Sequence, residues 1–493
     1  MKSPDALIPQ SWSKCWIILM ALAFAPLFSF SQSTTSTETH HVRLSEDTDN
    51  SRRKLQWRRN GNSFNVEYEG YITLSDDDRD IIAISAGGYL KISKSAFGSK
   101  RRINIEADRN GNLIRKYYEG WSQKDFEPNG RAWLAEVLPE IVRSSTLGAE
   151  DRVNRIYGNG GMNAFTAEVR ELESDYVKAA YIKLVLCKDL NDQEVDQLMG
   201  VMGREVKSDY YLASLLEENY VLFLQNPQRV SAFVDAARSI GSDHYMTEVL
   251  GRVVTSDQVT ETQIPTILDA ANNIQSDHYL SSLLIDLMND RELSSATLVS
   301  MLRVSENIQS DHYMSEVLQR AARQDNLSGS AHAGFLSALA KVDSDHYTKE
   351  VIFAINEEDF SSTTLINMLD QLRQNVQSDH YLNEALRHII REQSLDGPTY
   401  TALLRAAASI QSDNYSSGVY EALVRDKNLS GDQLAELLLS TGNIQSDHYL
   451  TEVLLAVAPQ VKNQGEEVKS AYRTAAKEIS SESYYGRALR AID

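Results

Sequence analysis

The chain contains 493 residues, too many for one hydrophobic core, so several domains or an extended repeat array are expected. Its composition, with 42% hydrophobic and 24% charged residues, is typical of a folded protein and argues against disorder over most of the length. The formal net charge of −20 argues against a nucleic-acid partner, because binding to phosphate groups requires a basic surface.

Residues 1–31 have the features of a secretory signal peptide. Basic residues precede an apolar run over residues 15–30, and Ser29 and Ser31 are small residues at the two positions that a signal peptidase reads. Cleavage after Ser31 leaves Gln32 as the new N-terminus. The alternative is an uncleaved anchor helix, but a run of 16 residues is short for a membrane span. We therefore expect an exported protein, periplasmic or extracellular, with no membrane span in the mature chain.

The next part of the chain contains two segments that differ in composition and in the pattern of apolar residues. Residues 32–55 are rich in Ser, Thr and charged residues without apolar periodicity, which predicts a flexible leader. Over residues 56–126 apolar and polar residues alternate, which predicts a small antiparallel β-meander. The predicted strands cover residues 62–69, 80–85, 89–93, 103–107 and 113–119.

Turn signals separate these strands. Asn60-Gly61 and Asn110-Gly111 are dipeptides typical of type I′ hairpin turns, in which both central residues need positive φ. The acidic cluster from Asp76 to Asp80 is predicted to be a solvated turn. Around Asn110 the spacing of acidic and amide residues also fits a calcium loop, but Leu113 stands where that loop needs a glycine, so the hairpin interpretation is preferred.

Beyond Arg131 the period becomes helical, and residues 127–173 are predicted to be a helical N-terminal cap. The dipeptide Ser-Asp then recurs every 34 residues, beginning at Ser174, Ser208, Ser242, Ser276, Ser310, Ser344, Ser378, Ser412 and Ser446. A diverged copy of the motif, in which Glu482 replaces the aspartate, follows at Ser481. This periodicity predicts nine repeats and a C-terminal cap over residues 174–493.

Each repeat is predicted to be a helix pair. With the motif Ser as position 1, apolar residues fall at positions 5, 8, 9 and 12 and again at 23, 26, 27 and 30, the spacing of one helical face. One such pair cannot bury its own apolar face, so neighbouring pairs must stack into a continuous core. The predicted fold class is therefore mainly α: a right-handed α-solenoid of 34-residue, HEAT- or TPR-like helix pairs, preceded by the β domain.

The simplest role for the Ser-Asp dipeptide is helix capping. A serine at the N-cap accepts a hydrogen bond from a free helical N–H, and an aspartate in the first turn meets the positive end of the helix dipole. The predicted capping residues are Ser242, Asp243, Ser276, Asp277, Ser310, Asp311, Ser344, Asp345, Ser378, Asp379, Ser412, Asp413, Ser446 and Asp447.

Histidine follows the dipeptide in six repeats. These are the candidate partner-binding residues, at His244, His278, His312, His346, His380 and His448. A repeated exposed histidine fits a partner-contact or pH-responsive stripe. The alternative is a metal-dependent receptor or enzyme that uses the repeated Asp-His positions or the β domain, but ligands must converge within about 2 Å of one ion, and equivalent positions of adjacent repeats are too far apart for that. We expect no metal, no cofactor and no catalytic residues.

The repeats also resemble a known family. Their Ile-x-Ser-Asp pattern, as in Ile274-Gln275-Ser276-Asp277, is similar to a helical repeat of exported bacterial proteins and to the extracytoplasmic repeat region of membrane metallopeptidases of the β-lactam-sensor type. The segment from Trp133 to Ile156 resembles the part that joins strands to repeats there. This chain has neither the zinc motif nor the membrane helices of those peptidases, so the resemblance implies a detached sensing or docking module.

These observations favour a non-enzymatic protein-interaction scaffold that uses the solenoid surface to bind a protein partner. Solenoids present long surfaces but seldom build the closed pocket that catalysis needs.

Overall fold

The computed structural model describes residues 41–47, 52–59, 62–96, 99–355 and 360–492. The predicted signal peptide and the turn at Asn60-Gly61 lie outside the described residues. Within them the chain is mainly helical, its helices pack in a repeated pattern, and a small antiparallel sheet precedes them. The predicted fold class is confirmed at this level.

The described strands form two antiparallel sheets. They are β1 (His41–Asp47), β2 (Arg52–Arg59), β3 (Asn62–Glu69), β4 (Ile72–Leu74), β5 (Ile81–Ile84), β6 (Tyr89–Ala96), β7 (Ser99–Ala107), β8 (Leu113–Glu119) and β9 (Ser122–Lys124). The larger sheet has the order β1-β2-β3-β6-β7-β8-β9, and β4 pairs with β5 separately. The sheet is therefore a meander, interrupted once by the β4-β5 hairpin.

Within the predicted leader, residues 32–55, the structure describes residues 41–47 and 52–55, and these lie in strands. Strand β1 pairs with β2 along its whole length, with Leu44 opposite Leu55, and β2 pairs in turn with β3, with Leu55 opposite Val66. The segment has too few apolar residues to predict a strand by itself. The edge of β3 supplies the backbone hydrogen-bond partners that local sequence reasoning does not count.

One face of the larger sheet is covered by helix α1 (Arg131–Arg143). Alternate residues of β3, Phe64, Val66 and Tyr68, are buried, as the alternation of the sequence predicts. They share one core with the apolar face of α1, including Trp133. The other face of these strands has no residue in this core.

The loop between β7 and β8 is not a type I′ turn. Gly111 has a φ of 83°, but among the described residues Asp78 is the one non-glycine with positive φ, so Asn110 lacks the conformation that this turn requires. The carboxylate of Asp108 accepts hydrogen bonds from the backbone N–H groups of Asn110 and Asn112, at 2.8 and 2.9 Å. These bonds, and above all the one from the Asn112 side chain, lower the pKa of Asp108. The carboxylate of Asp108 therefore stabilises the loop between β7 and β8 through hydrogen bonds within that loop.

The acidic turn before β5 is not simply solvated. Asp78 accepts hydrogen bonds from Arg152 Nε at 2.9 Å and from Arg155 Nη2 at 2.5 Å, and Asp80 pairs with Arg131. The Arg152 side chain is only 2% exposed and also donates to Glu168 at 2.7 Å. Burial would lower the pKa of Arg152, but Tyr181, Asp78 and Glu168 raise it above its usual value, so the guanidinium stays charged.

The helices continue from α1 to the end of the described chain. They are α2 (Ala149–Glu171), α3 (Asp175–Leu186), α4 (Asp192–Glu205), α5 (Asp209–Glu218), α6 (Tyr220–Leu224), α7 (Val230–Ala237), α8 (Asp243–Val254), α9 (Ile264–Ala271), α10 (Asp277–Asp290), α11 (Ser295–Ser305), α12 (Asp311–Ala321), α13 (Ser330–Leu339), α14 (Asp345–Phe353), α15 (Ser362–Asn375), α16 (Asp379–Glu392), α17 (Gly397–Ala408), α18 (Asp413–Asp426), α19 (Gly431–Ser440), α20 (Asp447–Val461), α21 (Glu466–Ala476) and α22 (Glu482–Arg490). A π-helical turn lies at Phe126–Gly130, and short 3-10 turns lie at Pro227–Arg229, Glu261–Gln263 and Thr441–Asn443.

These elements belong to two units. The first includes the sheet, continues to Asn219 and also contains Asp235–Ile240. The second comprises Tyr220–Val234 and the chain from Gly241 onward.

In the second unit, the helices that begin at a motif aspartate alternate with a second helix, as the apolar pattern predicts. In the repeat that begins at Ser310, positions 5, 8, 9 and 12 are all buried, at Met314, Val317, Leu318 and Ala321. On the partner helix α13, the predicted apolar positions include His332, which is buried as well. Burial of an aliphatic side chain stabilises the fold by about 1.5–3 kcal/mol, so these positions supply the main attraction between neighbouring helices.

Candidate functional site

The motif serines lie at the N-caps of their helices, but their side chains do not cap them. Ser310 has φ −81° and ψ 119°, and its carbonyl accepts the first helical hydrogen bond, from Met314 N–H at 2.9 Å. Its hydroxyl makes no capping hydrogen bond. The same holds at the N-caps of all the motif helices that carry the predicted caps, Ser242, Ser276, Ser310, Ser344, Ser378, Ser412 and Ser446. The predicted side-chain capping bond is therefore wrong for these serines.

The motif aspartates make a contact that the sequence analysis missed. The carboxylate of Asp311 accepts hydrogen bonds from the backbone N–H of Ser344 at 2.8 Å and of Asp343 at 3.2 Å. These donors lie in the next repeat, where they precede its first helix. We call this arrangement the aspartate bridge.

The aspartate bridge recurs along the second unit. The distance from the aspartate carboxylate to the backbone nitrogen of the next motif serine is 2.7 or 2.8 Å in each case, for Asp243–Ser276, Asp277–Ser310, Asp311–Ser344, Asp345–Ser378, Asp379–Ser412, Asp413–Ser446 and Asp447–Ser481. In the first unit Asp175 makes the same bond to Ser208. The predicted position of the aspartates in the first helical turn is right, but their carboxylates join neighbouring repeats.

The motif histidines are exposed in all six repeats. Each ring lies beside the tyrosine that follows it and beside the equivalent tyrosine of the next repeat. For His312 the ring centroids are 5.0 Å from Tyr313 and 5.7 Å from Tyr347. Such distances are typical of attractive contacts between aromatic rings.

These contacts join into one surface, which we call the His-Tyr ladder. It runs without a break from Tyr245 to Tyr415, and its ring pairs are His244–Tyr245, His244–Tyr279, His278–Tyr279, His278–Tyr313, His312–Tyr313, His312–Tyr347, His346–Tyr347, His346–Tyr381, His380–Tyr381 and His380–Tyr415. Asn414 interrupts it, and His448 resumes it with Tyr449 and Tyr484. The structure thus joins five of the six predicted partner-binding residues in one run of ring contacts, and His448 lies in a separate one.

The first unit carries a related arrangement with tyrosine in place of histidine. Tyr210 follows the Ser-Asp dipeptide there and lies 5.2 Å from Tyr211, which in turn lies 6.1 Å from Tyr176. Position 3 of the motif therefore needs an aromatic ring for this packing, and histidine is not the only residue that supplies one.

Acidic side chains accompany the ladder one helical turn further on. Glutamate stands four residues after the histidine in five repeats, at Glu248, Glu316, Glu350, Glu384 and Glu452. Glu316 Oε1 lies 3.8 Å from His312 Nε2, and Glu384 Oε2 lies 3.7 Å from His380 Nε2. His312 is 51% exposed and Glu316 is 44% exposed, so this pair contributes little to stability. The i, i+4 spacing could have been read from the sequence and was missed.

Within the described residues, no group of three or more His, Cys, Asp or Glu side chains is placed to hold a metal ion. The motif aspartates are engaged by backbone N–H groups of the next repeat, as described above. None of the helices in the described part of the chain is long and apolar enough to cross a membrane.

His388 is a buried histidine outside the ladder. Its ring is stacked on Phe353 with centroids 4.8 Å apart, and its Nε2 lies 3.2 Å from the carbonyl oxygen of Ile355. Burial lowers the pKa of His388, and the nearby Arg391 also lowers it, although the contact with Ile355 opposes this. This ring is a part of the core and not a candidate contact residue.

Comparisons with known proteins assign no family. No family model matches the chain, and no curated protein matches it significantly. Among solved structures it is similar to a chain described under "Computational Design of Self-Assembling Cyclic Protein Homooligomers", with 14% identity, 62% of this chain and 94% of that chain covered, and a TM-score of 0.11. A TM-score this low carries no argument about fold or function.

Proposed function

We propose that this protein is a non-enzymatic interaction scaffold that binds a protein partner through the His-Tyr ladder. The observation that supports this most directly is the unbroken run of rings from Tyr245 to Tyr415, in which exposed histidines alternate with half-buried tyrosines. Exposed aromatic side chains on a regular surface offer a large contact area at a small cost in side-chain entropy, which is why aromatic residues are enriched at protein interfaces.

The stability of the helices gives no reason for a histidine at position 3. The buried positions of each repeat already supply its core, and His312 is about half exposed beside Tyr313. Asn414 stands at the same position without a break in the helix that contains it. Helix formation therefore does not require a histidine at this position, which favours a role of the six histidines in binding.

The charge of the repeats indicates what chemistry the partner presents. Residues 174–493 contain 26 Lys and Arg and 46 Asp and Glu, so they account for the whole formal charge of −20. Glutamates flank the ladder, and the faces of tyrosine rings attract cations. A partner segment that presents Arg or Lys side chains complements both features and would bind more weakly as salt is added.

We also infer the finer architecture and the location of the protein. The 34-residue spacing of the motif and the recurring aspartate bridge support a right-handed solenoid built from such repeats. The apolar run over residues 15–30 and the resemblance to exported repeat proteins support a scaffold outside the cytoplasm. An experimental structure in which successive helix pairs turn to the left would refute the handedness.

The binding proposal is tested by capture with matched variants of the full chain. The ladder variant carries His278→Ala, His312→Ala and His346→Ala. The control variant carries Asp269→Ala, Arg303→Ala and Ser337→Ala, three equally spaced positions on the second helices α9, α11 and α13. Proteins captured from the native source by wild type, and then bound by the purified chain, should bind the control equally and the ladder variant at least about tenfold more weakly. Equal binding of the ladder variant would refute the proposal.

A further inference from the structure

The hairpin that joins β8 and β9 carries a fully exposed tryptophan. Glu119 pairs with Ser122, so Gly120 and Trp121 form a two-residue loop. Gly120 has a φ of 58°. A positive φ at the first loop position alone is the geometry of a type II′ turn, which fits the twist of the strands. The loop is therefore held in a defined conformation, and it presents Trp121 outward.

Trp121 is 99% exposed, far more than the other large apolar residues of the sheet such as Ile114, at 48%. Trp133, by contrast, is buried in the core under the sheet. Exposing an indole to water is unfavourable, since a tryptophan carries one of the largest apolar surfaces of any side chain. The fold does not use Trp121, so its exposure requires another explanation.

Three basic residues lie near the loop. The backbone N–H of Gly120 donates a hydrogen bond to the carbonyl of Lys100 at 2.7 Å, which places the loop beside the start of β7. Lys100 and Arg101 are exposed there, and Lys124 is exposed on β9. We call Lys100, Arg101, Trp121 and Lys124 the Trp121 tip. Glu119 lies at the same end of the sheet, opposite Arg101 in register, and its carboxylate accepts a hydrogen bond from Tyr117 at 2.8 Å.

The charge of this region is opposite to that of the repeats. Residues 99–124 contain seven Lys and Arg and three Asp and Glu, whereas residues 174–493 contain 26 and 46. An anionic partner would therefore be attracted to the Trp121 tip and repelled by the repeats. The tip and the ladder suit partners of different chemistry.

We propose that the Trp121 tip docks on an anionic lipid surface. A tryptophan at the boundary between headgroups and acyl chains buries its ring while its N–H stays among polar groups, and Lys or Arg beside it attract acidic headgroups. A protein interface would need a ring of neighbouring residues that exclude water from the anchor. The loop neighbours Gly120, Ser122 and Gln123 offer no such apolar surroundings, so the geometry favours a lipid surface.

The experiment compares four forms of the full chain: wild type, Trp121→Ser, the double variant Lys100→Glu with Arg101→Glu, and a charge-matched control with Lys462→Glu and Lys477→Glu in the repeats. Each is floated with vesicles of phosphatidylcholine alone or with about one third phosphatidylglycerol. The N-terminal part of the chain is the same in all four forms, so binding that depends on it is the same in each. Circular dichroism checks that every variant is folded.

Wild type and the control should bind the anionic vesicles more strongly than the neutral ones. This difference in binding should become smaller as the salt concentration rises from about 0.05 M to about 0.5 M. Trp121→Ser should weaken the binding to anionic vesicles about tenfold or more, because it removes the ring that would be buried in the lipid. The charge-reversal variant should bind the anionic vesicles at least about tenfold more weakly, because each Lys or Arg near the lipid surface contributes to the attraction. Lipid brominated near the headgroup should quench the fluorescence of wild type more than that of Trp121→Ser.

Three results would overturn the proposal. One is the absence of any preference of wild type for anionic vesicles. Another is binding by both tip variants that equals the binding of the control. The third is a tip that fails with vesicles but is needed to capture an acidic protein, which would assign the tip to a protein partner instead. If Trp121→Ser does not fold, the charge-reversal variant decides the question.

Discussion

The carboxylate of Asp311 accepts a hydrogen bond from the backbone N–H of Ser344, 2.8 Å away and 33 residues later in the chain. Because Asp311 lies in the first turn of its own helix, this bond joins the start of one repeat to the start of the next. The same bond recurs at every motif aspartate from Asp243 to Asp447. It is a nearest-neighbour contact of the kind on which the stability of repeat proteins depends.

The first prediction separates the aspartate from the serine. Asp311→Ala leaves two backbone N–H groups without their acceptor, so it should lower the free energy of unfolding by about 1–3 kcal/mol. Ser310→Ala should change it by less than about 0.5 kcal/mol, because the Ser310 hydroxyl makes no capping bond. Urea unfolding measures both.

Hydrogen exchange localises the effect of the same change. Asp311→Ala should lose protection at Asp343, Ser344 and the helix turns beside them, while distant repeats keep theirs. Protection lost evenly along the chain, or a Ser310→Ala variant that is less stable than Asp311→Ala, would contradict the aspartate bridge.

The second prediction concerns the two rings of the ladder. Tyr313 is half-buried and contacts His278 as well as His312, at 5.5 and 5.0 Å between ring centroids. Tyr313→Ala should therefore destabilise the chain by about 1 kcal/mol more than His312→Ala, which removes an exposed ring. Thermal unfolding of the two variants decides it. A His312→Ala variant that is the less stable of the two would show that the histidine has a structural role.

The third prediction is a pH dependence at His388. The pKa of His388 is lowered in the folded protein, so His388 binds a proton more readily in the unfolded chain than in the folded one. Neutral His388 therefore makes its full contribution to the free energy of unfolding above the ordinary histidine pKa of about 6.5. This contribution is lost as the pH falls below that value toward the lower pKa that His388 has in the folded protein. Urea unfolding at about pH 7.5 and about pH 5 should show a larger loss for wild type than for His388→Gln. An equal loss in both would mean that His388 does not resist protonation.

The fourth prediction concerns the N-terminus. Cleavage after Ser31 predicts that protein from the native source begins at Gln32. N-terminal sequencing checks this, and an intact Met1 on cytoplasmic material would contradict both the cleavage and the proposed export.

The last prediction tests the metal-dependent alternative. Protein purified without chelators should contain no stoichiometric zinc, since the Asp-His pairs of the ladder do not converge on one ion. Elemental analysis is the measurement. About one zinc per chain, lost after His312→Ala with His346→Ala, would favour the alternative over the scaffold.

The sequence by itself predicted those features that repeat locally. The spacing of Met314, Val317 and Leu318 predicted one buried face of a helix, and these residues are buried. The alternation in Asn62–Glu69 predicted a strand, which the structure contains with the same bounds. The ladder histidines were also chosen correctly as exposed residues, because an exposed face is what remains when the apolar positions of a helix are assigned.

The tertiary structure decided which groups meet across long separations. Nothing near Asp311 shows that its acceptor capacity is used by Ser344, since that contact exists only when two repeats stack. For the same reason the sequence did not show that residues 41–47 pair with Arg52–Arg59 in a sheet, or that Asp78 accepts a hydrogen bond from Arg152, 74 residues away. Hydrophobic periodicity is a property of a short segment, whereas a hydrogen-bond partner or an exposed surface such as that of Trp121 depends on what the rest of the chain places beside it.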